Sequence, residues 1–333
     1  MKVIEPAIPE NVIDYIKIAV DSKQLSQGPL VEKFEIELAK YLGVKPENVV
    51  VVSSGTAALH LAYLLTSQNR LTISASTFIS MGNMGKLANK RLEIIDVNEK
   101  TWVSNTADVS VDLFGNPVLH EPLIEDAAQA LGSKRSNGQK CGTLGKISIL
   151  SFFENKILTT GGEGGALVCK ERINADMARL MRQHGKDYTM VTHELFGFNY
   201  RMTEVQAAFG LAQLPYIDSY VKRKREVWKT YYEELQSYAT FQEEIGYSNR
   251  WATVILLQKD KRAKLIKALD KERIPWRSTF KPLDAFQWLS QYKTQSFLPV
   301  SMRIWTEGVC LPCSITLEPS YINSVCKVVK RCC

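Results

Sequence analysis

The chain has 333 residues, of which 45% are hydrophobic and 23% charged, with a net charge of +7. At roughly 150 residues per domain this allows about two domains and a large core, so neither disulfides nor a metal is needed for folding. Composition excludes disorder, collagen-like repeats and a coiled coil, and no apolar run approaches the ~18 residues of a membrane span.

In chain order, residues 1–15 carry Glu5 and Glu10 and no long apolar stretch, so no signal peptide is expected. Residues 11–20 and 30–42 read as amphipathic helices, the second stopping at Gly43. Four valines, 49–52, read as a buried strand. The strand runs into Ser53-Ser54-Gly55-Thr56 and an Ala/Leu-rich helix over 57–65. Strand, small polar turn and helix together present bare backbone N–H groups to an anion. Further strands are predicted at 71–75, 92–96, 109–113, 122–125, 147–152 and 165–169, with helices at 172–183 and 203–236. Beyond, the elements shorten: a strand at 252–257, a helix at 260–272, a loop rich in proline and aromatics, and a helix at 319–331. The change of pattern divides the chain into a large domain, 1–235, and a small one, 236–333.

Lys222-Arg223-Lys224-Arg225 is the one compact basic run. It falls within a helical pattern and reads as a solvated face rather than a nucleic-acid patch. The mild basic excess suits small anionic ligands. Seven cysteines without an export signal point to free thiols in the cytoplasm. Cys310-Leu-Pro-Cys313 has no second ligand pair, so no metal or redox site is assigned to it.

Four segments carry the chemistry. They are Ser53-Ser-Gly-Thr-Ala-Ala-Leu59, Ile124-Glu-Asp-Ala-Ala-Gln-Ala130, Ser151-Phe-Phe-Glu-Asn-Lys156 with the following Thr159-Thr-Gly-Gly-Glu-Gly-Gly165, and Asn199-Tyr-Arg-Met-Thr-Glu204. Each alone is weak: a lone lysine is usually a surface charge and a Ser-Gly-Thr turn usually a helix cap. In this order, with Val111-Asp-Leu-Phe-Gly115 and Phe209-Gly-Leu-Ala-Gln213, they resemble the DegT/StrS family of pyridoxal-phosphate (PLP) sugar aminotransferases. The resemblance runs from about Ser26 to Asp218 and less clearly beyond. It implies an α/β fold of the type I, aspartate-aminotransferase kind. That is a three-layer large domain with a mainly parallel sheet, followed by a smaller α+β C-terminal domain.

The residue chemistry agrees. PLP chemistry needs an amine that holds the cofactor as a Schiff base and later moves a proton, and Lys156 is the candidate. PLP draws electrons only while its ring nitrogen is protonated, which a buried carboxylate secures. Asp126, ending an apolar strand, fits, although alone it would serve equally as a helix N-cap. The resemblance further implies that Gln129 contacts the ring hydroxyl, that Ala128 lies on one ring face and that Ser151 contacts the phosphate. Backbone at Gly55, Thr56 and Ala57 offers phosphate donors at a helix start. Phe78 aligns with an aromatic that stacks on the ring, but plain core packing suits it as well. Asn199 matches a residue donated across a homodimer interface. His184, Arg201 and Lys281 are candidate substrate contacts. The glycine-rich 161–165 reads as a tight turn near the cofactor, not a nucleotide loop.

Two departures stand out. Only seven residues, Gly115 to Glu121, separate the strands at 109–114 and 122–126, where the family has a helix. Seven residues span at most ~23 Å, just enough to return along a ~17–20 Å strand. The sheet is therefore expected to lose covering helices there and to be covered by loops or a partner. Phe280-Lys-Pro-Leu-Asp284 carries Asp284 where the family has histidine, close to where it binds sugar nucleotides; Arg277 and Lys281 could offset that charge. The expected function is transfer of an amino group from L-glutamate to a nucleotide-linked keto-deoxy sugar. The alternatives are PLP-dependent dehydration, which retention of Lys156 disfavours, and a non-catalytic binding or regulatory protein.

Overall fold

The computed structural model describes residues 2–186, 192–292 and 297–333. The chain begins with helices α1 (Val12–Asp21) and α2 (Pro29–Leu42). It continues as β1 (Val49–Val52), α3 (Gly55–Leu65), β2 (Arg70–Ser74), α4 (Ser80–Leu87), β3 (Arg91–Ile95), β4 (Val109–Val111), β5 (Ile124–Asp126), β6 (Ile147–Ser151) and β7 (Gly165–Cys169). Helices α5 (Arg172–Arg182), α6 (Glu204–Gln213) and α7 (Ile217–Leu235) follow. The remainder comprises β8 (Thr240–Phe241), β9 (Thr253–Leu256), α8 (Lys259–Lys271), β10 (Arg277–Ser278), α9 (Pro299–Glu307), β11 (Gly308–Leu311) and α10 (Pro319–Cys332).

The seven-stranded sheet has the order β1-β7-β6-β5-β4-β2-β3. Six strands share one direction, and β7 alone lies antiparallel, between β1 and β6. All four valines of β1 are fully buried, as an unbroken β-branched run requires. A second, four-stranded sheet, β10-β11-β9-β8, is antiparallel throughout. Among the described residues no helix is long and apolar enough to cross a membrane.

Two expectations are corrected. The helix predicted at 203–236 is two helices, α6 and α7, separated by a 3-10 turn over Leu214–Tyr216. Pro215 lacks the N–H that would continue the ladder. Within α7 the basic run is no solvated face. Lys224 is 3% exposed and donates to the Cys313 carbonyl (2.6 Å), while Arg223 donates to the carbonyls of Ile315 and Leu317. Arg225 pairs with Glu244. These cations fasten α7 to the C-terminal segments; Lys222 alone is exposed.

Between β4 and β5 there is no full helix, only a 3-10 turn over Leu113–Gly115 with Phe114 at φ +57°. β5 then returns parallel to β4, in register Val109–Ile124. The place of a covering helix is taken by the segment after β8. The Asn116 amide donates to the carbonyls of Thr101 and Glu243 and accepts from Ile245 N–H. Gln242 donates to the carbonyls of Thr101 and Leu113. Asn249 reaches the carbonyls of Gln129 and Leu131. Every one of these partners is backbone, so the short return and the turn after β5 are tied to a segment more than 100 residues downstream by Asn116 of the return and by Gln242 and Asn249 of that segment. At the β3 edge of the sheet, Asp96 accepts from the N–H groups of Val300 and Ser301 and so caps α9.

Candidate active site

β5 and β6 are neighbouring parallel strands, so the residues at and after their C-terminal ends meet. Asp126 ends β5 and is 6% exposed. Its Oδ1 accepts the Ala128 N–H (3.0 Å); its other oxygen has no donor among the described residues. Burial raises its pKa to about 6, against the lowering effects of the Ala128 bond and of Lys156. Lys156 lies in a turn after β6 closed by its own N–H on the Phe153 carbonyl (2.9 Å). Burial lowers its pKa to about 8; Asp126 opposes this and Arg277 adds to it. Each side chain acts electrostatically on the other, and both line one cleft of about 250 Å³. The two residues read from separate motifs therefore share a site.

The start of α3 forms one wall. Ser54 is the N-cap, with its hydroxyl accepting from Ala57 N–H (3.0 Å). Ala57 is thus not a free phosphate donor as expected, whereas Gly55 and Thr56 line the cleft. A Cβ on Gly55 would stand 2.7 Å from the Ser151 Cβ, so glycine is required for the helix start to approach Ser151. The glycine-rich turn is tight as expected, with Gly161 at φ +78° and Gly162 at φ +125°. It brings Glu163 to the rim, where burial raises the carboxyl pKa.

Gln129 lines the cleft, its Oε1 accepting from Phe114 N–H (2.8 Å). That bond leaves its amide hydrogens as donors. Ala128 lies beside Asp126 in the same wall. Phe78 lines the cleft, 54% exposed and in a T-shaped pair with Phe280 at 6.2 Å, which rules out the core-packing reading.

Sequence reasoning missed Trp251. Its ring centroid lies 4.4 Å from Lys156 Nζ and 5.3 Å from Arg277 Cζ, and its indole N–H donates to the Asn155 carbonyl (2.7 Å). A tryptophan just before a strand carries no sequence signal for this; only the tertiary fold delivers it. Arg277 also lines the cleft.

The remaining candidates lie elsewhere within this chain. Asn199 is exposed, bridged to Gln183, and outside the cleft. His184 is exposed at φ +66°, its N–H on the Phe198 carbonyl. Arg201 pairs with Val52 at the entry to the Ser53 turn but does not line the cleft. Lys281 rests on Phe286 (4.9 Å) and Trp305 (5.7 Å).

The donor set fits PLP. An amine and a carboxylate share a cleft whose wall is a glycine-led helix start, an arrangement suited to aldehyde, pyridine nitrogen and phosphate respectively. With the mainly parallel seven-stranded sheet, this defines a PLP-dependent transferase of fold type I. A DegT DnrJ EryC1 StrS aminotransferase from Brucella abortus has the same fold, with a TM-score of 0.89 and 25% identity over 96% of this chain and 95% of its own.

The model of the DegT/DnrJ/EryC1/StrS aminotransferase family matches residues 6–112 and 120–330, and the chain belongs to that family. The internal unmatched stretch, 113–119, falls in the shortened return between β4 and β5. Among relatives, the chain is 29% identical to a GDP-perosamine synthase of Escherichia coli O157:H7, over 99% of this chain and 97% of the relative. It is 32% identical to a UDP-4-amino-4,6-dideoxy-N-acetyl-beta-L-altrosamine transaminase of Campylobacter jejuni, over 69% and 68%.

Proposed function

We propose that this chain moves an amino group from L-glutamate to the C3 or C4 keto group of a nucleotide-linked deoxy sugar, as a cytoplasmic homodimer with active sites built from both subunits. The observation that carries this is the pairing of Lys156 and Asp126 across one cleft. The relatives named for nucleotide-sugar amination support the acceptor class.

When bound, PLP supplies an aldehyde and an electron-withdrawing ring. Asp126 Oδ2 holds the proton on the ring nitrogen, and its isolation from other donors keeps it available. Lys156 Nζ, with its pKa brought down to about 8 by burial, is neutral often enough near neutral pH to take a proton from the substrate carbon and return it in the other half-reaction. The Gly55 and Thr56 amides and the Ser151 hydroxyl hold the phosphate, and Gln129 donates to the ring oxygen. Phe78 presents an aromatic face to the ring. Asn199, exposed and outside its own cleft, serves the partner's site. The part that binds cofactor extends to residue 235, and residues 236–333 close the cleft through Trp251 and Arg277. His184, Arg201 and Lys281 contact the sugar nucleotide from the rim or from the neighbouring subunit.

The test is a half-reaction. The PLP-loaded protein is expected to lose its visible absorption on addition of L-glutamate, with release of one 2-oxoglutarate per site, and to regain it on addition of a nucleotide-linked keto sugar. Loss of the band with no recovery on any keto sugar would contradict the acceptor assignment.

A further inference from the structure

The amine of Lys156 rests on a ring: Nζ lies 4.4 Å from the centroid of the Trp251 indole. Among the described residues that amine makes no hydrogen bond and no salt bridge, although Asp126 shares its cleft. The ring is fixed from several sides. Trp251 is 2% exposed, and its indole N–H donates to the carbonyl of Asn155, the residue just before Lys156 (2.7 Å). Its backbone N–H donates to Asn249 Oδ1 (2.8 Å), and the same Asn249 amide holds the Gln129 and Leu131 carbonyls. Arg250, immediately before it, stands at φ +53°, with its guanidinium on the Trp228 ring (3.7 Å) and paired with Glu244 (3.0 Å). A left-handed conformation at a non-glycine residue persists where the surroundings over-determine it. The fold holds one indole face against one amine.

We propose that Trp251 is a positioning residue whose indole face receives the Lys156 amine whenever its covalent link to the cofactor is open, and seats the protonated amine clear of Asp126. The inference rests on the function proposed above and adds the residue that seats its proton carrier. When Lys156 takes a proton from the substrate carbon, Nζ becomes a buried cation. Were Asp126 its partner, the cation would be held firmly and the carboxylate lost to the ring nitrogen. An aromatic face stabilises a cation modestly, so the proton can be returned. Plain core packing would call for no cation over the face and no hydrogen bond tying the ring to the residue beside Lys156. The other charged and titratable groups around the amine are Asp126 of β5, Arg277 of β10 and Glu163 of the glycine-rich turn in the cleft. Glu5, Tyr220 and Lys224 border a small hollow that Lys156 also lines. None of these changes when only the electrons of the indole are altered.

Fluorinated tryptophans placed at position 251 of the full chain, with one to four ring fluorines, test this. Each fluorine withdraws charge from the ring face and leaves shape and burial nearly unchanged. Two readouts are taken across pH. One is the rate at which the cofactor-free chain captures PLP. The other, with no cofactor present, is labelling of Lys156 by acetic anhydride, read by mass spectrometry. Both level off near pH 8 in wild type and at progressively lower pH along the series. The displacement reaches about one unit with four fluorines, the worth of a desolvated cation–π contact. In the PLP-loaded chain, Trp251→Leu still forms the borohydride-reducible link at Lys156. Exchange of the glutamate α-hydrogen with solvent, at saturating glutamate, slows roughly 10- to 100-fold through lost positioning, and Trp251→Phe recovers part of it. A levelling point that stays in place or moves upward along the series overturns the proposal, as does exchange that Trp251→Phe restores no better than Trp251→Leu. Absence of glutamate-dependent bleaching in wild type overturns the underlying function instead, while the labelling series still decides the contact between amine and indole.

Discussion

Lys156 must be neutral to attack an aldehyde, yet it sits opposite a carboxylate that favours its charged form. Burial outweighs the carboxylate and brings the amine to about 8. The sign of the stability effect follows. A folded-state pKa below the unfolded ~10.4 means that burying this amine costs stability. The cost is fully present below pH 8 and fades as pH rises through the unfolded value. Cofactor-free Lys156→Met is therefore expected to melt above cofactor-free wild type at pH 7, with the gap closing between pH 8 and 10.5. A lower melting temperature for the variant at pH 7 would show that Lys156 is not desolvated. The same pKa governs cofactor capture: its rate should rise about tenfold per pH unit up to about pH 8 and then level off, where an ordinary lysine would keep gaining to ~10.4.

At the scale of elements, helix α2 is anchored by a buried carboxylate on another element. Glu204, 1% exposed in α6, accepts the N–H groups of Leu30 (2.9 Å) and Val31 (2.8 Å) at the start of α2. It thus does from a distance what a local N-cap does. Glu204→Ala should lower the urea midpoint by an amount equivalent to about 2 kcal/mol, with the slope of the transition unchanged; no change in midpoint would mean water replaces the cap without loss. Elements with an uninterrupted signal were legible in the sequence: the valine run of β1, the stop of α2 at Gly43, and the Glu-Asp-Ala-Ala-Gln segment that ends β5. Others were not, for physical reasons. Helix α4 carries Gly82 and Gly85, which weaken its pattern but let Leu289 and Leu92 approach its backbone. The cations of α7 looked solvated because periodicity records which residues share a helical face, not which distant carbonyls will come to meet that face.

At the scale of the molecule, the family resemblance joined Lys156, Asp126, Gln129, Ser151 and Gly55 in one site, and the fold brings them to one cleft because each lies at or just after a strand end of a single sheet. Trp251, and the place of Arg277 beside Lys156, escaped the resemblance because both enter from the part of the chain that forms the second sheet, whose position no local pattern encodes. The shortened β4–β5 return was legible from chain length alone, but its cover, the Gln242–Asn249 segment, was not. A site completed by Asn199 of the partner subunit makes a prediction of its own. Lys156→Ala and Asn199→Ala, each impaired as a homodimer, should on subunit exchange regain about a quarter of the wild-type sites, because mixed dimers assemble one intact site. Mixtures no more active than their parents would place Asn199 outside the partner's cleft.

The most direct measurement is chemical mapping of the cofactor. Borohydride reduction of the PLP-loaded protein, followed by proteolysis and mass spectrometry, should leave the pyridoxyl group on the peptide that contains Lys156 and nowhere else. Lys156→Ala should carry none. A pyridoxyl group fixed at another lysine, or equal labelling of wild type and variant, would contradict the account.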